Sequence, residues 1–277
     1  MLVNTKYLFD EYKNKCILGF NIFGYEDAYA IIKAAEDTNN PVILMTNRIA
    51  IEHMPIPVIA GMLIPMAESS KAHVSVHLDH AEKLETLLLA MDNGYTSVMF
   101  DGSRLPYEEN VSRTCRVVEY ARKRNVSVEA EIGSIGYSDD NSACSRPSDS
   151  RYTDADEAKR FYEATQVDAL AVAVGTLHRM TTQSAVLNFD LLKEIREKVD
   201  VPLVIHGASG VRDEDLVKLA KTGVRKINIG TSIRMTFGES IRSTIEKDPK
   251  IFDRIEMFKP AMEAVYHEAV RKFRLID

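Results

Sequence analysis

Seven side chains suited to acid–base or metal chemistry stand in or just beyond short apolar runs of this chain. Asp79 and His80 close one run, Asp101 closes the next, and Glu129 and Glu131 lie in another. His178 follows a further run and His206 ends the one after it. Three histidines on three separate segments could converge on one cation as neutral imidazole ligands with a fourth position open, a catalytic zinc arrangement. A lone histidine at such a place usually serves as a structural hydrogen-bonding group; three at corresponding places favour a shared ligand. Glu129 and Glu131 are two residues apart and share a strand face. Buried there, they need a cation or donors, so a second metal and an ion pair with a Lys or Arg across the fold are equal readings. His77 shares a face with Asp79, either packed in the interior or supporting the site. His53, His73 and His267 read as ordinary surface or packing residues. Two turns of small residues, Gly207-Ala208-Ser209-Gly210 and Asn228-Ile229-Gly230-Thr231-Ser232, follow the last two apolar runs. Backbone N–H groups at such turns, with a helix behind them, suit a phosphate.

These residues need a scaffold that brings many strand ends together. Val- and Ile-rich runs alternate with helical periodicity, the pattern of parallel βαβ units. Strands are expected at Ile17–Asn21, Pro41–Thr46, Val74–His80, Ser97–Asp101, Val126–Ile132, Ala169–Val174, Pro202–His206 and Lys226–Ile229. Helices are expected at Glu26–Asp37, Glu82–Asn93, Tyr107–Arg124, Ala155–Ala164, Phe189–Lys198 and Asp213–Lys221, with an added C-terminal helical segment over Ile251–Phe273. Eight units without a compositional break predict an α/β fold, a single (β/α)8 TIM barrel spanning residues 1–277, whose βα loops build the active site. A doubly wound sheet competes, but Gly19 to Gly24 lacks the GxGxxG spacing. The long polar interval Gly136 to Asp156 reads as a functional or mobile loop.

Composition narrows the classes. The chain has 277 residues, 45% hydrophobic and 27% charged, which excludes disorder. A net charge of -6, with 35 basic residues dispersed among 41 acidic ones, argues against nucleic acid as partner. Cys16, Cys115 and Cys144 are widely spaced without a CxxC, so neither a disulfide framework nor a thiolate zinc cluster is expected, and a cytoplasmic location follows. No signal peptide is expected at the N-terminus. The longest apolar stretch, Val58–Met66, contains Gly61 and Pro65 and is about half a membrane span.

Seven segments together resemble the class II zinc-dependent fructose-bisphosphate and tagatose-bisphosphate aldolases: Gly19-Phe20-Asn21, Val76–His80, Met99–Ser103, Val128–Gly133, Ala171–His178, His206–Gly210 and Lys226–Thr231. The resemblance implies that His80, His178 and His206 bind Zn2+ and that Asp79 is the general acid/base. It implies that Asp101 and Glu131 can take part in a site for a second metal or a monovalent cation. The dihydroxyacetone phosphate end of a phosphorylated sugar would meet Gly207, Ala208, Ser209, Asn228, Ile229, Gly230 and Thr231, with Asn21, Asn47, Arg179 and Arg234 completing the substrate side. Zinc would act as a Lewis acid during C3–C4 cleavage, with no Schiff-base lysine required. A homodimer or homotetramer is implied.

The substrate side departs from the family pattern. Arg179 stands where the family usually has Gly, Asp139 where it has the mobile-loop acid/base Glu, and Tyr137 where it has Gly. Asn47 replaces a family Ser, Ser232 replaces a common Asp, and Arg234 keeps a basic residue. The reaction expected is reversible cleavage of a phosphorylated ketose to dihydroxyacetone phosphate and an aldehyde. Alternatives are an aldolase for a non-standard ketose or keto-acid phosphate, a non-catalytic phosphosugar-binding homologue, and a metal-dependent isomerase or epimerase on the same barrel.

Overall fold

The expected strands form and close on themselves. In the computed structural model, which describes residues 1–136 and 151–277, they are β1 Ile17–Asn21, β2 Val42–Thr46, β3 Val74–Ala81, β4 Ser97–Phe100, β5 Ser127–Ile132, β6 Ala169–Val172, β7 Leu203–Ile205 and β8 Lys226–Ile229. All pair in parallel in chain order, and β1 pairs with β8 to complete the barrel. The helices are α1 Thr5–Glu11, α2 Tyr25–Asp37, α3 Arg48–His53, α4 Ile56–Ser69, α5 Leu84–Asp92, α6 Tyr107–Arg122, α7 Ala155–Thr165, α8 Phe189–Lys198, α9 Asp213–Lys221, α10 Thr231–Lys247 and α11 Arg254–Ile276. Tyr137, Asp139 and Cys144 lie outside the described residues.

Strand alternation divides the apolar residues into two cores. Leu18, Phe20, Leu44, Val76, Leu78, Val98, Val128 and Ile227 point outward and pack under the helices. Ile17, Ile43, Met45, Met99, Ala169, Ala171 and Val204 point inward, where Leu8 and Phe9 of α1 join them. The short α1 is capped by Asn4, whose side chain accepts from the Tyr7 N–H, and its Thr5 hydroxyl meets Ser75 Oγ at 2.9 Å. It thereby docks on the N-terminal end of the barrel and leaves the C-terminal end for chemistry.

The C-terminal helical segment begins at Arg254, three residues later than its periodicity suggests, because Asp253 caps it by accepting from the N–H groups of Ile255 and Glu256. α11 packs on α2 and α10, with Phe273 edge-on to Phe20 of β1. The apolar stretch Val58–Met66 lies in α4. Among the described residues no helix is long and apolar enough to cross a membrane.

Candidate active site

β3 carries the first pair of functional groups, and it does so by breaking its own regularity. Strict alternation would send Asp79 inward and His80 outward among the helices. Instead the register with β4 shifts between Leu78 and Ala81, and His80 adopts φ +53°, in the left-handed region. A bulge of this kind re-aims a side chain. The backbone strain costs about 1–3 kcal/mol, a level usually retained where function requires it. As a result Asp79 and His80 both serve the barrel mouth, with the His80 Nε2 4.0 Å from Asp79 Oδ1.

His206 follows the end of β7, and His178 lies six residues beyond β6 in a loop. That loop depends on Gly207: its φ is +66°, and a Cβ there would sit 2.5 Å from the Leu177 carbonyl oxygen. Only glycine lets the chain that presents His178 pass this close to the turn after His206. The three rings meet edge to face, His80 to His206 at 4.7 Å and His80 to His178 at 4.8 Å between centroids. One nitrogen from each lies within 4.8 Å of the others, and the same limit holds for a His80 nitrogen with a carboxylate oxygen each from Asp101 and Glu131 in a second, adjoining group.

Hydrogen bonds orient the histidines. His80 Nδ1 is 2.7 Å from Asp101 Oδ2, while the other Asp101 oxygen accepts from the N–H and hydroxyl of Ser103. His206 Nε2 is 2.7 Å from Glu129 Oε1. The remaining nitrogens, His80 Nε2 and His206 Nδ1, face each other at 2.9 Å. If each ring gives its proton to its carboxylate, two lone pairs confront one another, an arrangement relieved by a shared proton or by a cation. Glu131 adds to this: its Oε1 accepts from the Ile135 N–H at 3.1 Å, and its buried Oε2 finds no partner among the described residues. The donor set fits a metal ion of the imidazole-binding kind.

Burial and neighbouring charge set the protonation states. Burial, then the positive field of His80, hold His178 and His206 well below the usual imidazole range, which favours their neutral forms. Burial alone would depress His80, but the Asp79 carboxylate and the hydrogen bond to Asp101 raise it well above that range. Burial would raise Asp79, yet His80, His206 and Lys226 together with a hydrogen bond from Asn21 hold it below its ordinary value. The Asn21 amide donates to Asp79 Oδ2 at 3.0 Å and the Asn228 amide lies 3.4 Å from Oδ1. Burial and the adjacent Asp101 push Glu131 up to about 8.

The cleft above this cluster is lined by Asn21, Asn47, Arg179, Gly207, Ser209, Asn228, Gly230, Thr231 and Arg234 together with Asp79, His80, Asp101, His178 and His206. Ser209 ties the two small-residue turns together, its hydroxyl accepting from the N–H groups of Gly230 (3.3 Å) and Ser232 (3.1 Å) at the start of α10. The Ser209 hydroxyl thus occupies the place where an anion at the α10 N-terminus would accept from the same N–H groups.

The sequence matches the profile described as "Fructose-bisphosphate aldolase class-II" over residues 3–277. The chain belongs to that family. Its fold is also that of the YdjI aldolase from Escherichia coli K12, with 29% identity, a TM-score of 0.84 and coverage of 100% of this chain and 97% of that one. A putative fructose-1,6-biphosphate aldolase from Coccidioides immitis superposes with a TM-score of 0.85 at 24% identity, covering 98% of this chain and 94% of that one. Fructose-bisphosphate aldolase from Campylobacter jejuni gives 0.83 at 20% identity, with 99% and 95% covered. At these last two identities the likeness concerns the fold.

Within this aldolase barrel most expected site residues converge. Two substrate-side residues do not reach the cleft wall: Ala208 is 1% exposed and Ile229 0%. Ile229 follows Asn228 and therefore points outward into the helical layer, so only its backbone is available. His77 is an interior residue, its Nδ1 2.8 Å from Ser97 Oγ. Of the two readings of the strand-5 carboxylates, Glu129 takes the ion pair, with Lys226 Nζ at 2.6 Å. The sequence reading missed Lys226, Phe23, Arg48, Ile49 and Glu82, the last four on the cleft wall. Lys226 carried a readable signal, being a lysine two residues before Asn228 and hence on the same inward face of a strand.

Proposed function

We propose that this chain is a zinc-dependent aldolase that cleaves a phosphorylated ketose reversibly to dihydroxyacetone phosphate and an aldehyde. The observation that carries the proposal is the convergence of three imidazoles with a carboxylate, Asp79, held ionised beside them. His80, His178 and His206 would hold the metal, with Asp101 and Glu131 beside them available to a second cation. When bound, the ion supplies Lewis-acid polarisation of the ketose carbonyl. Asp79, steadied by the amides of Asn21 and Asn228, accepts the C4 hydroxyl proton as the C3–C4 bond breaks and returns it in condensation. The backbone N–H groups of the Ser209 turn and the α10 N-terminus receive the phosphate, where the helix dipole favours an anion. Asp139, by its place in the sequence, is proposed to move the second proton, at C3 of the dihydroxyacetone phosphate fragment.

Arg48, Arg179 and Arg234 all border the cleft. That clustering favours a ketose bearing a second anionic group at its far end, either a bisphosphate or a keto-acid phosphate. We read residues 1–277 as one catalytic barrel working in the cytoplasm. Exposed Met235, Phe252 and Ile255 support assembly into a homodimer or homotetramer, which light scattering would measure.

The decisive experiment is a panel of ketose mono- and bisphosphates and keto-acid phosphates with coupled detection of dihydroxyacetone phosphate, before and after chelation. Cleavage that disappears on chelation and returns with Zn2+ supports the proposal. Cleavage indifferent to chelation overturns the metal role, and binding of dihydroxyacetone phosphate without cleavage of any panel member overturns the aldolase.

A further inference from the structure

An ion pair lies in the barrel interior beneath the histidines. Lys226 of β8 and Glu129 of β5 reach across the barrel to each other, with side chains 0% and 2% exposed. Taking two such charges out of water costs several kcal/mol per ion, and apolar replacements of buried pairs are often neutral or stabilising. The interior around them, with Met45, Met99 and Val204, could have been closed with one more apolar layer. Stability alone is therefore a poor reason for this pair.

The geometry points to another role: we infer that Glu129 and Lys226 act as a positioning pair that fixes the tautomer of His206, so that its Nδ1 rather than its Nε2 presents a lone pair to the metal. The inference rests on the metal-site reading above. Glu129 divides its two oxygens between two partners, Oε1 to His206 Nε2 at 2.7 Å and Oε2 to Lys226 Nζ at 2.6 Å. A carboxylate accepts only, so the proton of neutral His206 sits on Nε2. Its Nδ1 then faces His80 Nε2 at the centre of the three histidines.

Lys226 makes this acceptor sustainable. Asp79, Asp101 and Glu131 already crowd the mouth with carboxyl groups, and Glu129 adds another beneath them. Lys226 also directs an N–H toward His77 Nε2 at 3.4 Å, and His77 Nδ1 is held by Ser97 Oγ. The ammonium is thus held by Glu129 and His77 together. Through hydrogen bonds, Lys226 connects to His206 by way of Glu129. This differs from the His80–Asp101 bond, whose carboxylate lies at the cleft and is tied to Ser103. One histidine takes its orientation from the mouth and the other from the core.

The test replaces the pair by hydrocarbon. The double variant Glu129→Leu/Lys226→Met should keep the thermal midpoint of the metal-free protein close to that of the parent. It should nevertheless lose Zn2+ affinity by ~10–100-fold in chelator competition, the usual effect of removing a partner behind a metal ligand. The imidazole 15N shifts of His206 in the metal-free protein should change from a single Nε2–H form to a mixture. Each single variant should lose affinity by no less than the double, because both residues act through one hydrogen bond. If the double fails to fold, Glu129→Gln, close in shape, is read the same way, with an expected loss of at least about threefold and the same tautomer change. The inference is overturned if the variants bind Zn2+ within about twofold of the parent and keep the Nε2–H tautomer, or if they lose only thermal stability. A parent that binds no Zn2+ would sink the metal reading instead, while the tautomer comparison would still decide the positioning role.

Discussion

The two ends of the barrel interior are built from the same eight strands and follow opposite rules. At the N-terminal end, Leu8, Phe9, Ile17 and Ile43 fill the space with hydrocarbon, each no more than 3% exposed. At the C-terminal end, carboxylates, imidazoles and amides are brought together with φ +53° at His80, a Glu131 oxygen without a partner among the described residues, and carboxyl groups shifted in both directions. Between them lies the Lys226–Glu129 pair. The contrast shows a division of labour: one end supplies apolar burial, which offsets the desolvation and strain held at the other.

The largest expected effect comes from the polar end. Asp79→Ala should lower kcat by roughly 10²–10⁴ while bound metal, measured by elemental analysis, stays at the parent level. Loss of metal with unchanged turnover per bound ion would contradict the acid/base role. The converse substitution tests the apolar end: Leu8→Ala should destabilise the fold by about 2–5 kcal/mol in urea unfolding, with metal affinity unchanged. If Leu8→Ala weakened metal binding as much as stability, the two ends would not be separable.

The pH dependence of stability reads the edge of the mouth. Asp27, in the first turn of α2, accepts from the Phe23 N–H at 2.9 Å, and burial pushes its carboxyl up from 3.8 to about 6. The folded state holds this proton more tightly than the unfolded chain, so its contribution is fully present below pH 4 and is lost as pH rises through 6. Asp27→Asn should therefore gain stability relative to the parent between pH 4 and pH 7, on the order of 2 kcal/mol, in denaturation midpoints taken at both values. A difference independent of pH would assign Asp27 a purely structural hydrogen bond.

The smallest effect is expected on the rim. Arg179 has φ +61°, a conformation that suits Gly, and it lines the same cleft as the three histidines. Arg179→Gly should change stability by less than about 1 kcal/mol, since relief of strain is offset by a freer unfolded chain. It should raise KM by about tenfold for a ketose with a second anionic group and leave a ketose monophosphate little affected. Equal effects on both substrates would remove Arg179 from the recognition of the far end.

The barrel strands were legible because strands buried on both faces are runs of Val, Ile and Ala that no other short element requires. The helices were less so. α4 carries Ile56, Val58, Ile59, Met62, Leu63, Ile64 and Met66 around much of its circumference, so no polar stripe marks its period. α1 is only seven residues long, too short for a pattern. The three histidines and Asp79 were legible as residue types at strand ends. The bulge at His80 was not, since nothing local distinguishes His80 from a residue that continues the alternation.

The sequence by itself determined the eight-strand order, the identity of the candidate ligands and the two small-residue turns, because these depend on residue type and on periods of two and 3.6. The tertiary structure decided which partners those groups meet. Glu129 and Glu131 are indistinguishable in the sequence, two glutamates on one strand face. One faces Lys226 from the opposite wall and becomes half of an ion pair, while the other faces Asp101, with its carboxyl pushed up to about 8. Charge interactions in a buried site follow distance through space, and closing the barrel is what sets those distances.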